Sequence, residues 1–300
     1  MKIILVVGAR PNFMKVGPVF FALKEMPEFE PLLIHTGQHY DENLSEIFFR
    51  ELGFPEPDRY LGVGSGTHGE QTARIMIAFE KVLFEEAPDL VMVAGDVNST
   101  IACALDAAKL HIPVAHLEAG LRSFDLTMPE EINRMLTDAI SDILLTPSKD
   151  ANENLLREGI GEERIFFVGN AMIDSLRKYE KIADQSHILE KLGLTPQSYG
   201  VITLHRPSNV DIKDNFEKLL SAFEIVEKQL PLVFPVHPRA KKQIVNLGLM
   251  PKIESMEHFF LIDPLGYLDF LKMEKNAKIV FTDSGGIQEE TTVLGVPCLT

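Results

Sequence analysis

Several acidic residues fall where an apolar, strand-like run gives way to a helical pattern. Asp96 follows the run Leu90–Ala94, in Gly95-Asp96-Val97-Asn98-Ser99-Thr100. Glu118 lies in His116-Leu117-Glu118-Ala119-Gly120-Leu121-Arg122-Ser123, and Glu130 in Pro129-Glu130-Glu131-Ile132-Asn133-Arg134. Carboxyl groups crowded at one sheet edge raise one another's pKa, which suits them to proton transfer near neutrality. A plainer reading stands beside this one. Asn98 or Ser99 can cap a helix, although Asp96 lies too early to do so. Acidic residues in a first helical turn, Glu131 among them, are also explained by the helix dipole alone.

A second group of residues suits an anion. Thr282-Asp283-Ser284-Gly285-Gly286 links a strand pattern to a helix pattern, with Glu290 further along. Glycines at a helix start expose N–H groups to a diphosphate, and Ser284 can cap the helix. An acidic residue near such a site can accept hydrogen bonds from ribose hydroxyls. Gly8-Ala9-Arg10-Pro11, with Lys15 beyond it, opens another helix. Alone it reads better as a tight turn with two surface cations than as an anion site. His205-Arg206 and Pro235-Val236-His237-Pro238-Arg239 close two further strand patterns, and histidines in equivalent positions point to a phosphate-facing edge. Gly62-Val63-Gly64-Ser65-Gly66 lacks dinucleotide-loop spacing and reads as a flexible glycine stretch.

The elements that must carry these residues alternate. Strand patterns occupy residues 3–8, 31–35, 90–94, 114–116, 143–145 and 165–168, then 200–204, 232–236, 259–262, 278–281 and 297–300. Helical patterns lie between them at 13–26, 43–52, 67–86, 100–110, 129–139 and 149–158. After a polar helical stretch, 174–193, they resume at 214–229, 239–246, 266–275 and 284–294. This is the signature of βαβ units and parallel sheets. The fold class is α/β, with two Rossmann-like domains, 1–170 and 171–300. Ligands of such sheets bind outside the carboxyl ends of the strands.

The chain has 300 residues and a formal net charge of −15, which argues against nucleic acid or an acidic membrane as partner. Cys103 and Cys298 are expected as buried free thiols in a reducing cytosol. No Cys/His spacing suggests a metal, and nothing else resembles a nicotinamide site, so no cofactor is expected. The apolar run at residues 3–7 is too short for a secretion signal, and none approaches a membrane span. A cytoplasmic location is expected.

Taken in order, the motifs resemble the non-hydrolysing UDP-N-acetylglucosamine 2-epimerases. The matching set is Gly8-x-Arg10-Pro11 with Lys15, Thr36-Gly37-Gln38-His39, Gly95-Asp96, His116-x-Glu118-Ala119-Gly120-Leu121-Arg122, Pro129-Glu130-Glu131-x-Asn133-Arg134, His205-Arg206, Pro235-Val236-His237-Pro238 and Asp283–Glu290. The resemblance implies two domains facing across a cleft, as in GT-B glycosyltransferases, and a homodimer. It implies that Asp96, Glu118 and Glu130 are the acid/base groups, with His205 and Lys15 in the catalytic set. By the same resemblance Arg10, Arg134, His237, Ser284, Gly285 and Gly286 hold UDP, Glu290 its ribose, and Phe270 lies near uracil. Gln38, His39, Gln71 and Arg206 match positions around a second, activating UDP-N-acetylglucosamine. Ala9 and Asn12 depart from the family's usual Thr and Glu, and Pro207-Ser208-Asn209 replaces its usual Glu-Asn. The family also continues beyond the position of Thr300, so further C-terminal sequence is expected.

The chemistry implied is inversion at C2, a step toward surface polysaccharide. That carbon is not next to a carbonyl, so direct deprotonation is disfavoured. Loss of UDP would build positive charge at C1 and acidify the C2 proton. A glycosyltransferase, a hydrolysing epimerase and a non-catalytic UDP-sugar sensor remain as alternatives.

Overall fold

The computed structural model describes residues 1–38, 52–236 and 238–300. The chain divides into two compact units, Met1–Ser175 and Leu176–Thr300. The division falls inside the helix Ala171–Ala183, close to the domain boundary expected after residue 170.

In the first unit the strands are β1 (Lys2–Val7), β2 (Glu30–His35), β3 (Arg59–Tyr60), β4 (Leu90–Ala94), β5 (Val114–Leu117), β6 (Ile143–Thr146) and β7 (Ile165–Phe167). They form one sheet in the order β3-β2-β1-β4-β5-β6-β7, and every pairing is parallel. β1 and β4 are buried along almost their whole length, as expected of strands covered on both faces. The helices His68–Glu86 and Asn98–Lys109 cover one face, packing Ile75, Phe79, Ala102 and Cys103 against Ile4, Val6, Val91 and Val93.

The second unit carries β8 (Gly200–Thr203), β9 (Leu232–Pro235), β10 (Phe259–Ile262), β11 (Ile279–Thr282) and β12 (Cys298–Leu299), ordered β10-β9-β8-β11-β12 and all parallel. Phe216, Leu220 and Phe223 of the helix Lys213–Val226 cover one face with Phe234 and Phe281. Tyr199, Val201, Met273 and Val280 belong to the cluster on the other.

The short strand β3 and the short helices Pro207–Val210 and Met250–Glu254 carry too few residues to declare a period. The helix Arg10–Lys24 runs through Pro18 and starts before the apolar pattern does. The helix expected at 43–52 lies almost wholly outside the described residues. Cys103 is buried as expected, but Cys298 sits partly exposed near the sheet edge. The glycine stretch at 62–66 is anchored rather than loose. Gly64 N–H donates to the Gly37 carbonyl at 2.9 Å, and the Gln71 amide to Gly64 O at 2.9 Å. No helix among the described residues is long and apolar enough to cross a membrane.

Candidate active site

In each sheet the strand order reverses once, between β1 and β4 in the first unit and between β8 and β11 in the second. A crevice opens at such a point because the two following loops turn to opposite faces. Asp96, Glu118 and Lys15 lie at the first, and His205, Asp283 and Ser284 at the second.

At the first reversal, β4 leads into Gly95, whose φ is +67°. A Cβ there would stand 3.0 Å from Lys15 Nζ and 3.3 Å from a Glu118 carboxylate oxygen, which together with the left-handed φ favours glycine. Lys15 and Glu118 form an ion pair, each about 15% exposed. Glu118 itself has φ +74°. A charged residue held in the left-handed region costs on the order of 1–3 kcal/mol and is typical of functional turns. Its N–H donates to the Leu145 carbonyl at 3.0 Å. Asp96 is paired with Arg134 at 2.5 Å, and the Asn133 amide donates to the Asp96 carbonyl oxygen at 2.9 Å.

Glu130 and Glu131 diverge. Glu130 is exposed. Glu131 is 1% exposed and accepts from the N–H groups of Ser123 (3.0 Å) and Phe124 (2.9 Å) and from Arg134 (2.6 Å). Burial alone would raise its pKa, but those donors outweigh it and hold the carboxyl down to about 2. Glu131 is therefore a permanent carboxylate that aims Arg134 at Asp96. Sequence reasoning left it as a dipole residue. Its signal was available, since Glu131, Arg134 and Asp138 share a helical stripe at i, i+3 and i+7.

The turn after β1 differs from expectation. Its Gly8 and Ala9 N–H groups are not open to an anion, because Asn12 Oδ1 accepts from both at 3.2 and 2.9 Å. The Asn12 amide donates in turn to the Ala94 carbonyl at 2.9 Å, tying the turn to the end of β4. Arg10 opens the helix Arg10–Lys24. Gln38 and Gln71 are both 5% exposed and hydrogen-bonded. Gln38 Oε1 accepts from Ser99 N–H and hydroxyl at 2.9 and 2.7 Å, and Gln71 accepts from the Asn98 amide at 2.8 Å. Both side chains thus serve the interior of the first unit. His39 and His237 lie outside the described residues.

At the second reversal, β11 ends at Thr282 and Ser284 caps the helix Gly285–Leu294. Gly285 is exposed, with open space where a Cβ would stand. The first N–H groups of a helix have no intrahelical partner, and here Gly285 and Gly286 supply them. Asp283, 6% exposed, accepts from the His205 N–H (3.0 Å), the Arg206 N–H (2.9 Å), the Asn209 amide (2.9 Å) and the His205 ring (2.7 Å). Burial opposes its ionisation, yet these donors hold its pKa near 2. Asp283 thereby fixes the His205-Arg206 loop to the glycine loop. Phe270 is half-buried against the cluster containing Tyr199 and Met273.

Glu290 is 5% exposed and lies beside Glu274, which is 0% exposed and was not singled out from sequence. Neither Glu274 oxygen meets an N–H or O–H donor among the described residues. Burial, then the charge of Glu290 on Glu274 and that of Glu289 on Glu290, keep this pair from ionising together. Burial pushes Glu274 well above the carboxylate range and Glu290 up to about 7. A cavity of about 500 Å³ in this unit borders Arg206 and Asp283 and is otherwise mainly apolar, with Leu204, Phe223, Phe281 and Leu299 in its wall.

These sites can be set beside known proteins. Residues 21–300 match the family model described as UDP-N-acetylglucosamine 2-epimerase. The UDP-N-acetylglucosamine 2-epimerase of Methanocaldococcus jannaschii is 47% identical over 100% of this chain and 83% of its own length. Its crystal structure in complex with UDP-GlcNAc and UDP superposes with a TM-score of 0.92, covering 99% of this chain and 83% of that one.

The chain belongs to the UDP-N-acetylglucosamine 2-epimerase family.

Other members of the family cover more than one named substrate. The UDP-2,3-diacetamido-2,3-dideoxy-D-glucuronate 2-epimerase of Pseudomonas aeruginosa is 43% identical, over 100% of this chain and 83% of that protein. A Neisseria meningitidis family member, with UDP-GlcNAc bound, is 31% identical with a TM-score of 0.90, over 100% of this chain and 82% of that one. As a family member the chain carries the expected two-sheet α/β architecture. Its departure at Asn12 acquires a physical role, closing the turn after β1 onto β4. Its Pro207-Ser208-Asn209 segment likewise places Asn209 on Asp283.

Proposed function

We propose that this protein interconverts UDP-N-acetylglucosamine and UDP-N-acetylmannosamine by eliminating and re-adding UDP. The observation that carries the reading is the first-unit reversal, where Lys15–Glu118 and Arg134–Asp96 pair oppositely charged groups around Gly95. A nucleotide-binding module needs no such constellation.

The glycine loop of the second unit is the diphosphate site. The N–H groups of Gly285 and Gly286, with Ser284, stabilise the charge that develops as the C1–O bond breaks and its electron pair leaves with UDP. Arg10, Arg134 and His237 complete the UDP contacts, Glu290 accepts from the ribose and Phe270 packs near uracil. Positive charge building at C1 acidifies the C2 proton, and a carboxylate removes it to give 2-acetamidoglucal. Protonation of the opposite face of C2, with return of UDP to C1, gives the epimer. Asp96, Glu118 and Glu130 are the acid/base groups. His205 lies close to the reacting atoms, and Lys15 orients Glu118 while balancing its charge. The candidates for a second nucleotide-sugar site are His39 and Arg206, with Gln38 and Gln71 bracing the first unit from inside, and the product feeds surface polysaccharide.

The relative that acts on a diacetamido uronic acid supports a second substrate to test. Incubation with each UDP-sugar, followed by proton NMR of the anomeric signals, decides between them. Appearance of UDP-N-acetylmannosamine supports this reading. UDP with free sugar supports hydrolysis, and turnover of the uronic acid alone moves the substrate assignment. Two unchanged sugars would remove the epimerase reading.

A further inference from the structure

His116 is not assigned a role by the chemistry above, yet it is 0% exposed and lies beneath both acidic turns. Its Nδ1 is 2.6 Å from Asp138 Oδ1. Its Nε2 is 2.8 Å from the carbonyl oxygen of Gly95. A carbonyl oxygen can only accept. Asp138 is also an acceptor, because its Oδ2 faces the Arg122 guanidinium at 2.7 Å and the Gly120 N–H at 3.1 Å. A neutral imidazole has one N–H and one lone pair. It would set that lone pair against an acceptor oxygen on one side or the other. Both contacts are satisfied only when both ring nitrogens carry hydrogen.

We propose that His116 is a positioning residue held as a buried imidazolium, which bolts the Gly95-Asp96 turn to the Glu118–Gly120 turn through Asp138.

Burial of the ring opposes the charge. The charge and hydrogen bond of Asp138, then the Gly95 carbonyl, then the charge of Glu118 outweigh burial and raise the imidazole's pKa. Arg122, on the far side of Asp138, is itself held by a two-pronged contact with Glu158 at 2.7 and 2.6 Å. The charged groups therefore run His116, Asp138, Arg122, Glu158, alternating in sign. A buried charge persists only when paired and hydrogen-bonded in this way. The chain also explains how three left-handed residues persist close together. Gly95, Glu118 and Gly120 have φ of +67°, +74° and +80°. The first accepts from His116, the last donates to Asp138, and Glu118 lies between. One ring thus sets where Asp96 leaves β4 and where Glu118 leaves β5.

The positioning role rests on the acid/base reading above, whereas the protonation state does not, and two measurements separate them. In protein with 15N-labelled histidine, both His116 ring nitrogens are expected to show protonated shifts that do not move between about pH 5.5 and 8.5. Asp138→Asn removes the countercharge, so His116 is expected to begin titrating in that window. In kinetics, His116→Gln is expected to lower kcat about 10- to 100-fold through misplaced turns. Its KM and its affinity for UDP should change less than kcat, since the glycine loop is in the other unit and only Arg10 and Arg134 of the proposed UDP contacts share a unit with His116. A neutral or titrating His116 in the unsubstituted protein would overturn the imidazolium assignment. A His116→Gln protein with unchanged kcat would overturn the positioning role. Failure of the unsubstituted protein to epimerise any UDP-sugar would instead remove the acid/base reading, with the NMR result still judging His116.

Discussion

Glu130 and Glu131 are adjacent and chemically identical, but one is exposed and the other is buried under two backbone N–H groups and Arg134. Their substitution should split stability from turnover. Glu131→Ala leaves Arg134 and two N–H groups without their acceptor and is expected to cost about 3 kcal/mol in chemical unfolding. Glu130→Ala should change stability by less than about 0.5 kcal/mol while slowing turnover. Equal effects of the two on stability would contradict the division of roles. Asp96→Asn and Glu118→Gln are expected to lower turnover at least ~100-fold with UDP affinity, read by calorimetry, largely intact. Normal turnover in both would remove them from the chemistry. The buried acid pair makes a pH prediction. Glu290 titrates near 4.5 when unfolded and at about 7 when folded. Its contribution to stability is therefore full below about pH 4.5 and lost as pH rises through about 7. The urea midpoint should fall between about pH 4.5 and 7 and level off above that, and Glu290→Gln should flatten the fall. A Glu290→Gln profile parallel to the original would refute it.

The helix Pro129–Ile140 inverts the usual amphipathic rule. Its polar stripe, Glu131, Arg134 and Asp138, faces the turns, while Ile132, Met135 and Leu136 are 45%, 38% and 51% exposed. A reading that places apolar faces inward positions the helix correctly along the chain and turns its wrong side to the core. The strands were legible because β-branched runs buried on both faces stand out without any tertiary knowledge. The turns that follow them were legible in place and not in geometry. No spacing reveals that Asn12 consumes the N–H groups of Gly8 and Ala9, or that Asp283 organises the His205 loop, because those contacts join distant elements. Glu274 was illegible for the same reason, standing on one helix against a glutamate of the next. Gly95→Ala tests the turn after β4. Its left-handed φ and the nearby Lys15 predict a loss of about 1–3 kcal/mol in unfolding. A neutral result would mean that the turn rearranges freely.

At the scale of the molecule, two parallel sheets each bring polar groups to their own reversal in strand order. We infer a division of labour in which the first unit moves protons and the second holds the diphosphate. The exposed Ile132, Met135 and Leu136, with Ile77 and Phe84 at 63% and 68% exposed, suit contact with a second copy. Light scattering after size exclusion should therefore give twice the chain's 33.6 kDa; a mass of one chain would refute the dimer. The central claim is that the C2 hydrogen leaves as a proton after UDP departs. It is tested most directly by incubating the protein with UDP-N-acetylglucosamine in D2O and following C2 and the anomeric carbon by NMR. The account predicts deuterium at C2 of the UDP-N-acetylmannosamine formed, with 2-acetamidoglucal and UDP detectable as released intermediates. Epimer that retains its original hydrogen at C2 would contradict it.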